Sequence, residues 1–151
     1  MHWHYRTFGE LSTIELYALL QLRSKVFVVE QQCPYQDLDN KDLEAIHIWC
    51  SSAHGDVAAC CRLLPAGVSY SEASIGRVVT DPNFRGRHMG RQLMDKAIQY
   101  LTEQWNVPAI RIGAQLYLRR FYESFRFEQA SEVYDEDGIP HIEMLLQLKL
   151  V

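Results

Sequence analysis

Three arginines, two glycines and a histidine crowd into the run Arg85-Gly86-Arg87-His88-Met89-Gly90-Arg91. Glycine lets a backbone come close to a ligand, and the first turn of a helix offers amide hydrogens that have no partner inside the helix. Those amides, the positive end of the helix dipole and the guanidinium groups all favour an anion, so the run reads as a phosphate cradle. The net charge of the chain is -4, which makes the cluster of Arg77, Arg85, Arg87 and Arg91 informative: it suits a small anionic ligand rather than a polymer. A solvated basic loop has the same charge pattern. The glycines favour the ligand. No Gly-Lys-Ser or Gly-Lys-Thr follows them, which excludes a P-loop nucleotidase.

A cradle needs elements to hold it. The β-branched run Ile75-Gly76-Arg77-Val78-Val79-Thr80 precedes it and ends at the breaker pair Asp81-Pro82. After it, Leu93, Ala97, Leu101 and Trp105 recur every fourth residue beside Met94 and Ile98, predicting a helix with one apolar face. The unit is strand, loop, helix.

Around this unit the remaining elements fall in order. Residues 3–8 form an edge strand; His2 and His4 sit on it at i, i+2 without an evident third metal ligand, so no metal is expected. Ser12-Thr13-Ile14-Glu15 has the capping-box pattern and opens a helix that ends near residues 28–31. Arg23 interrupts the apolar stripe of that helix, and snorkelling to solvent is favoured over pairing with a carboxylate. Residues 30–44 are polar and carry Glu30, Asp37, Asp39, Asp42 and Glu44, a loop whose sign would attract an amine. Residues 46–51 and 57–64 predict an antiparallel hairpin. Residues 109–114 predict a strand parallel to the Ile75 strand, reached by a crossover through the long helix. A short helix over residues 117–125 and strands over 127–134 and 142–150, joined by an Asp137-Gly138 turn, complete the chain. The expected fold is α/β: one domain over residues 1–151, a mixed, mostly antiparallel sheet of about seven strands with one parallel β-α-β crossover and helices on both faces.

Composition narrows the function. At 48% hydrophobic content, 151 residues suffice for one sizeable core. The acidic balance argues against nucleic-acid and membrane partners. Cys33, Cys50, Cys60 and Cys61 show no metal or disulfide spacing, which implies free thiols and a cytoplasmic location. Neighbouring Cys60 and Cys61 on a strand point to opposite faces and read as apolar fillers. Trp3, Trp49 and the aromatic edge strands make a homodimer one option.

With these parts in order the chain resembles the GNAT acetyltransferase superfamily, and within it an ElaA-like subgroup. The superfamily motif is Arg/Gln-x-x-Gly-x-Gly/Ala at a helix start, which stands here as Arg85-Gly86-Arg87-His88-Met89-Gly90. His88 replaces the first motif glycine, so its backbone is expected to keep a conformation open to ordinary residues. Arg126 stands where the family usually has glycine. The subgroup resemblance rests on Leu20-Gln21-Leu22-Arg23, Val26-Phe27-Val28-Val29-Glu30-Gln31, Cys33-Pro34-Tyr35, Gly113-Ala114-Gln115 and Asp137-Gly138-Ile139-Pro140-His141, stretches that span nearly the whole chain.

The resemblance implies an acetyl-CoA-dependent N-acetyltransferase acting on a small-molecule or peptide amine. Val78, Val79 and Thr80 would bond the pantetheine arm as a pseudo-strand, and the amides of Gly86, Arg87, His88, Met89, Gly90 and Arg91 would hold the diphosphate, with Arg85 and Arg87 screening it. Gln115 matches a position where many relatives place a cofactor-contacting Asn. Tyr122 matches the tyrosine that protonates the departing thiolate; the bland reading is a phenol packed beside Phe121 and Phe125. Glu30 and His141 are both candidates for taking the proton of the amine, and a structural role suits either equally. Direct attack in a ternary complex, with an amide near Val79 at the developing oxyanion, is favoured over a covalent route through Cys33. Two other readings remain: an acyl-CoA-binding regulator that has lost catalysis, for which His88 is the reason, and a non-enzymatic interaction domain.

Overall fold

The computed structural model describes residues 1–149; Leu150, the end of the last predicted strand, and Val151 lie outside the described residues. The chain runs β1 (His2–Thr7), α1 (Thr13–Arg23), β2 (Ile46–Ser51), β3 (Val57–Leu64), β4 (Ser74–Thr80), α2 (Met89–Glu103), β5 (Ala109–Gln115), α3 (Arg119–Glu123), β6 (Glu128–Gln129), β7 (Tyr134–Glu136) and β8 (Ile139–Gln147). Ser12 and Glu15 close the capping box that starts α1, each side chain bonding the other's backbone amide. The helix then widens into a π-helical stretch, Ser24–Glu30, a local form often found at functional sites.

The sheet is divided. Strands β1-β2-β3-β4 form one antiparallel sheet in sequence order, and β5-β8-β6 form a second, with β7 on β8. The expected parallel pairing of β4 with β5 is confined to a bridge between Ala73 and Ile110 and the bond from Arg111 N to Ala73 O, 3.0 Å. Beyond it no ladder joins the two strands among the described residues, so the rest of the β4 edge stays open. The mixed α/β architecture with helices on both faces stands; the parallel crossover contributes a hinge line rather than a continuous ladder.

Alternation along β2 and β3 decides which helix covers which face. Ile48, Cys50, Ala59, Cys61 and Leu63 join the main core with Leu93, Met94, Ala97 and Leu101 of α2, and with Ile110, Ile112, Ile142 and Met144 of the second sheet. Trp49, Cys60 and Val79 face the other way and pack with Leu19, Leu22 and Val26 of α1 and the π-helical turn. Cys60 and Cys61 thus lie on opposite faces; all four cysteines are free and buried, and burial pushes the Cys60 thiol up to about 12. Trp49 is buried against the stacked ring of His4, 4.7 Å away, so it offers no surface for a dimer.

The last strands differ from the sequence expectation. The run over residues 127–134 breaks at Ser131, whose hydroxyl accepts the Glu143 amide at 2.8 Å. Asp137 and Gly138, at φ 53° and 82°, make the two-residue turn that suits a twisted hairpin. Pro140 falls opposite Asp135, one residue past the closing Glu136–Ile139 pair, where the alternation of an antiparallel ladder asks for no N–H.

Candidate active site

The division of the sheet produces a cleft of about 700 Å³. A bulge in β4 shapes one wall. Cys60 pairs with Val79 and Arg62 with Gly76, so two β4 residues, Arg77 and Val78, stand opposite the single Cys61 on β3, and Arg77 takes a left-handed φ of 50°. Val78, Val79 and Thr80 beyond the bulge line the cleft, together with Gly90 at the start of α2 and Gln115 at the end of β5. An open strand edge can accept an extended ligand by backbone bonding.

The junction into α2 has the geometry of an anion site. Gly86 turns at φ 79°, and His88, the residue before the helix, sits at φ 58°, ψ 26° without a side-chain cap. The expectation that His88 keeps an ordinary backbone conformation is therefore overturned. The turn needs a left-handed residue there, and histidine is among the non-glycine residues that enter that region more readily. With no side chain capping α2, the first-turn amides of Met89, Gly90 and Arg91 stay unfilled within the protein. Gly90 is approached closely: a Cβ there would lie 3.6 Å from the Phe121 ring and 3.9 Å from Thr80 Oγ1. The Met89 side chain is buried in the core, so only its backbone faces outward. Gly86, Arg87, His88 and Arg91 are exposed on the turn. Arg87 lies over the Phe84 ring at 5.3 Å, and Arg91 over Phe125 at 4.7 Å with a bond to Ser124 Oγ at 2.8 Å.

Tyr122 enters the same cleft from α3 and is 7% exposed. Phe121 and Phe127 meet its ring edge-on at 5.1 and 6.1 Å. Burial, with smaller contributions from Cys61 and Tyr117, pushes the phenol well above its ordinary value of 10.0. The α3 end is tied by Arg126, at φ 74°: Arg126 N donates to Glu123 O and Phe127 N to Tyr122 O, 2.9 and 3.3 Å. This is the Schellman pattern with its left-handed residue, which explains why glycine suits that position.

The acidic loop is tied down by arginines. Arg23, 3% exposed, bonds Asp37 at 2.9 Å and Asp42 at 2.7 Å, so it pairs with carboxylates rather than snorkelling. Arg62, 4% exposed, bonds Asp39 at 2.6 Å and Asp42 at 3.1 Å. Arg77 turns away from the phosphate cradle; its guanidinium lies over Tyr35 at 5.6 Å, 2.7 Å from Asp37 and 3.4 Å from Asp39. Burial alone would raise Asp42, but the hydrogen bonds and charges of Arg23 and Arg62 outweigh it and hold the carboxyl low; Asp39 is depressed in the same way, chiefly by Arg62. These three aspartates are therefore neutralised within the fold and do not supply the negative surface expected of them.

Glu30 lines the cleft at the end of the π-helical turn, where Arg85 holds it at 2.6 Å and lowers its carboxyl by a direct hydrogen bond. His141, 8% exposed, also lines the cleft. Its Nδ1 donates to Ile139 O at 2.7 Å, and Nε2 faces Glu136 at 3.2 Å. Gln115 donates to Gln31 Oε1 at 3.3 Å.

The acetyltransferase (GNAT) domain model matches residues 25–148. The chain is a GNAT protein. Protein ElaA of Escherichia coli is 44% identical over 95% of both chains, and its crystal structure superposes with a TM-score of 0.88 over 96% of this chain and 99% of that one. An acyl-CoA N-acyltransferase from Pseudomonas aeruginosa is 40% identical, with a TM-score of 0.89 over 95% of this chain and 97% of the other. An aminoglycoside 6'-N-acetyltransferase complexed with coenzyme A shares the fold, at 14% identity and a TM-score of 0.72 over 97% of both chains.

Within this GNAT fold, the sequence-predicted Val78, Val79, Thr80, Arg85, Gly90, Gln115, Tyr122, Glu30 and His141 come together in one cleft, while the turn from Gly86 to His88 leads into it. Sequence reasoning missed Lys41, Arg62, Ser69 and Tyr70, which line its other end. Arg62 carried a signal: a charge inside the hydrophobic run Ala58-Ala59-Cys60-Cys61-Arg62-Leu63 predicts a buried ion pair.

Proposed function

We propose that the chain transfers an acetyl group from acetyl-CoA to a primary amine of a small molecule or peptide by direct attack in a ternary complex. The observation that carries this reading is one cleft shared by an uncapped helix start, an open strand edge past a bulge, and a buried tyrosine. The residues present fit coenzyme A. The amides from Gly86 to Arg91 suit its diphosphate, with Arg85 and Arg87 as counter-charges. The open edge of Val78 to Thr80 and the Gln115 amide suit the pantetheine arm. When bound, acetyl-CoA supplies an activated thioester.

Transfer forms a C–N bond to the amine and breaks the C–S bond. A backbone amide near Val79 takes the charge that develops on the carbonyl oxygen. Tyr122 gives its proton to the sulfur; burial keeps that proton on the oxygen at neutral pH, which suits an acid. The amine loses a proton to His141 or Glu30. Each is engaged in the fold: Nε2 of His141, the nitrogen left to take a proton, faces Glu136, and Glu30 holds Arg85, so either must first part from its partner. His88 was the ground for a non-catalytic regulator, but it keeps the left-handed turn and lends that reading no support.

One core joining both sheets supports a single domain over residues 1–151. No metal is assigned; among the described residues no cluster of three metal-ligating side chains occurs. Nor is a nucleic-acid or membrane partner: the chain is acidic, and no helix among the described residues is long and apolar enough to cross a membrane. Free cysteines fit a cytoplasmic location. Calorimetry with CoA, followed by thiol release over a panel of amines, tests the proposal; CoA binding with steady amine-dependent release is expected, and absence of CoA binding would reject it.

A further inference from the structure

The end of the cleft away from the cradle is a donor site without an acceptor. Its cations divide into two groups. Arg77 and Arg85 are ion-paired, and His141 faces Glu136. Lys41 is different: its ammonium donates to Ser69 Oγ at 2.8 Å and has no carboxylate partner among the described residues. Arg62 is ion-paired as well, and its Nε, like that of Arg77, is buried. Its two terminal nitrogens bond Asp39 and Asp42, but its buried Nε has no hydrogen-bond partner.

These donors belong to one patch. Asp39 Oδ1 accepts from both the Lys41 amide, 3.1 Å, and Arg62, 2.8 Å. Gly76 lies beside Arg62: a Cβ built there would stand 3.9 Å from its buried Nε, an ordinary contact, and the missing side chain leaves room for a ligand over this part of β4. Ser69 adds a hydroxyl whose oxygen already accepts from Lys41 and whose proton is free to donate. The nearby aspartates are satisfied by arginines. The patch therefore offers donors and positive charge, and a ligand seated there must bring acceptors.

Resting on the acetyl-transfer reading, we infer that the acceptor amine also carries an anionic group, a carboxylate or a phosphate, held by Lys41, Ser69 and Arg62 over Gly76. The strand sets its length. Gly76 and Val79 stand opposite Arg62 and Cys60, two residues apart on β3, so the bulge brings them to about 7 Å, and amine and anion sit at opposite ends of the molecule.

The test is calorimetry, with turnover kept out of the readout. CoA is titrated first. ε-Aminocaproate, its carboxamide and ω-aminohexyl phosphate are then titrated into the CoA-loaded and the CoA-free protein. The inference expects at least one of the two anionic amines to bind tenfold or more tightly than the carboxamide. Which of the two binds tells carboxylate from phosphate. Lys41→Gln should abolish the difference. Gly76→Ala, whose backbone needs no positive φ and whose methyl would take up room in the cleft beside Arg62, should reduce it while CoA affinity stays at the wild-type value. Equal affinity for anion and amide, no binding of any, or an anion preference that survives Lys41→Gln overturns the inference. Loss of the CoA signal alone, with the anion preference intact, overturns the acetyl-transfer reading instead.

Discussion

Replacing Tyr122 by Phe isolates one oxygen atom. The phenol is 7% exposed, and its ring is held by Phe121 and Phe127. Removing the oxygen leaves the ring packing in place and opens little space, so the stability change should stay below about 1 kcal/mol. Catalysis should respond differently. Protonation by a positioned side chain contributes roughly 10²–10⁴ in rate, or about 3–5 kcal/mol in the barrier. Steady-state thiol release by Tyr122→Phe should therefore fall about a hundredfold or more in kcat, with CoA affinity by calorimetry and the unfolding midpoint both near wild type. Because burial raises the phenol above 10.0, its ionisation cannot produce an alkaline fall in activity below that pH. A variant that turns over within twofold of wild type would refute the acid role and return Tyr122 to packing.

Four further outcomes follow from the fold. Asp42→Asn leaves Arg23 and Arg62 short of a buried counter-charge, which should cost about 3–5 kcal/mol in urea unfolding; an unchanged midpoint would mean that the cluster is not holding the loop. The depressed Asp39 and Asp42 carboxyls stabilise the fold at neutral pH, and that stabilisation should fade as pH falls below about 4, the unfolded-state value, towards their lower folded values; urea midpoints between pH 7 and 3 check it, and Asp42→Asn should flatten the slope. His88→Gly should hold or raise the melting temperature and keep CoA affinity, while His88→Val, β-branched at φ 58°, should lower both. Gly113→Ala should cost about 1–3 kcal/mol by thermal melting, because its Cβ would meet Tyr70 Oη at 2.8 Å and Tyr134 Oη at 3.2 Å.

Periodicity and turn chemistry revealed most of the architecture. The four-residue repeat from Leu93, the Ser12 capping box and the Asp137-Gly138 turn all stand where local physics places them. What escaped was long-range. The division of the sheet depends on a bulge at Arg77, a left-handed arginine that no local rule predicts. The fate of the acidic loop depends on arginines from α1, β3 and β4, separated from it by 14 to 40 residues in sequence. Read locally, its carboxylates suggested a cation site. Their three-dimensional partners turn the same wall into one that favours an anion. His88 and Arg126 mark the opposite case: motif glycines are required for their φ, and other residues can occupy those angles at a cost of about 1–3 kcal/mol each.

The most direct measurement is a crystal structure with CoA and a bound amine. The diphosphate should lie on the amides between Gly86 and Arg91, and the sulfur about 3–3.5 Å from the Tyr122 hydroxyl. A diphosphate bound elsewhere, or a sulfur out of reach of that phenol, would contradict the account.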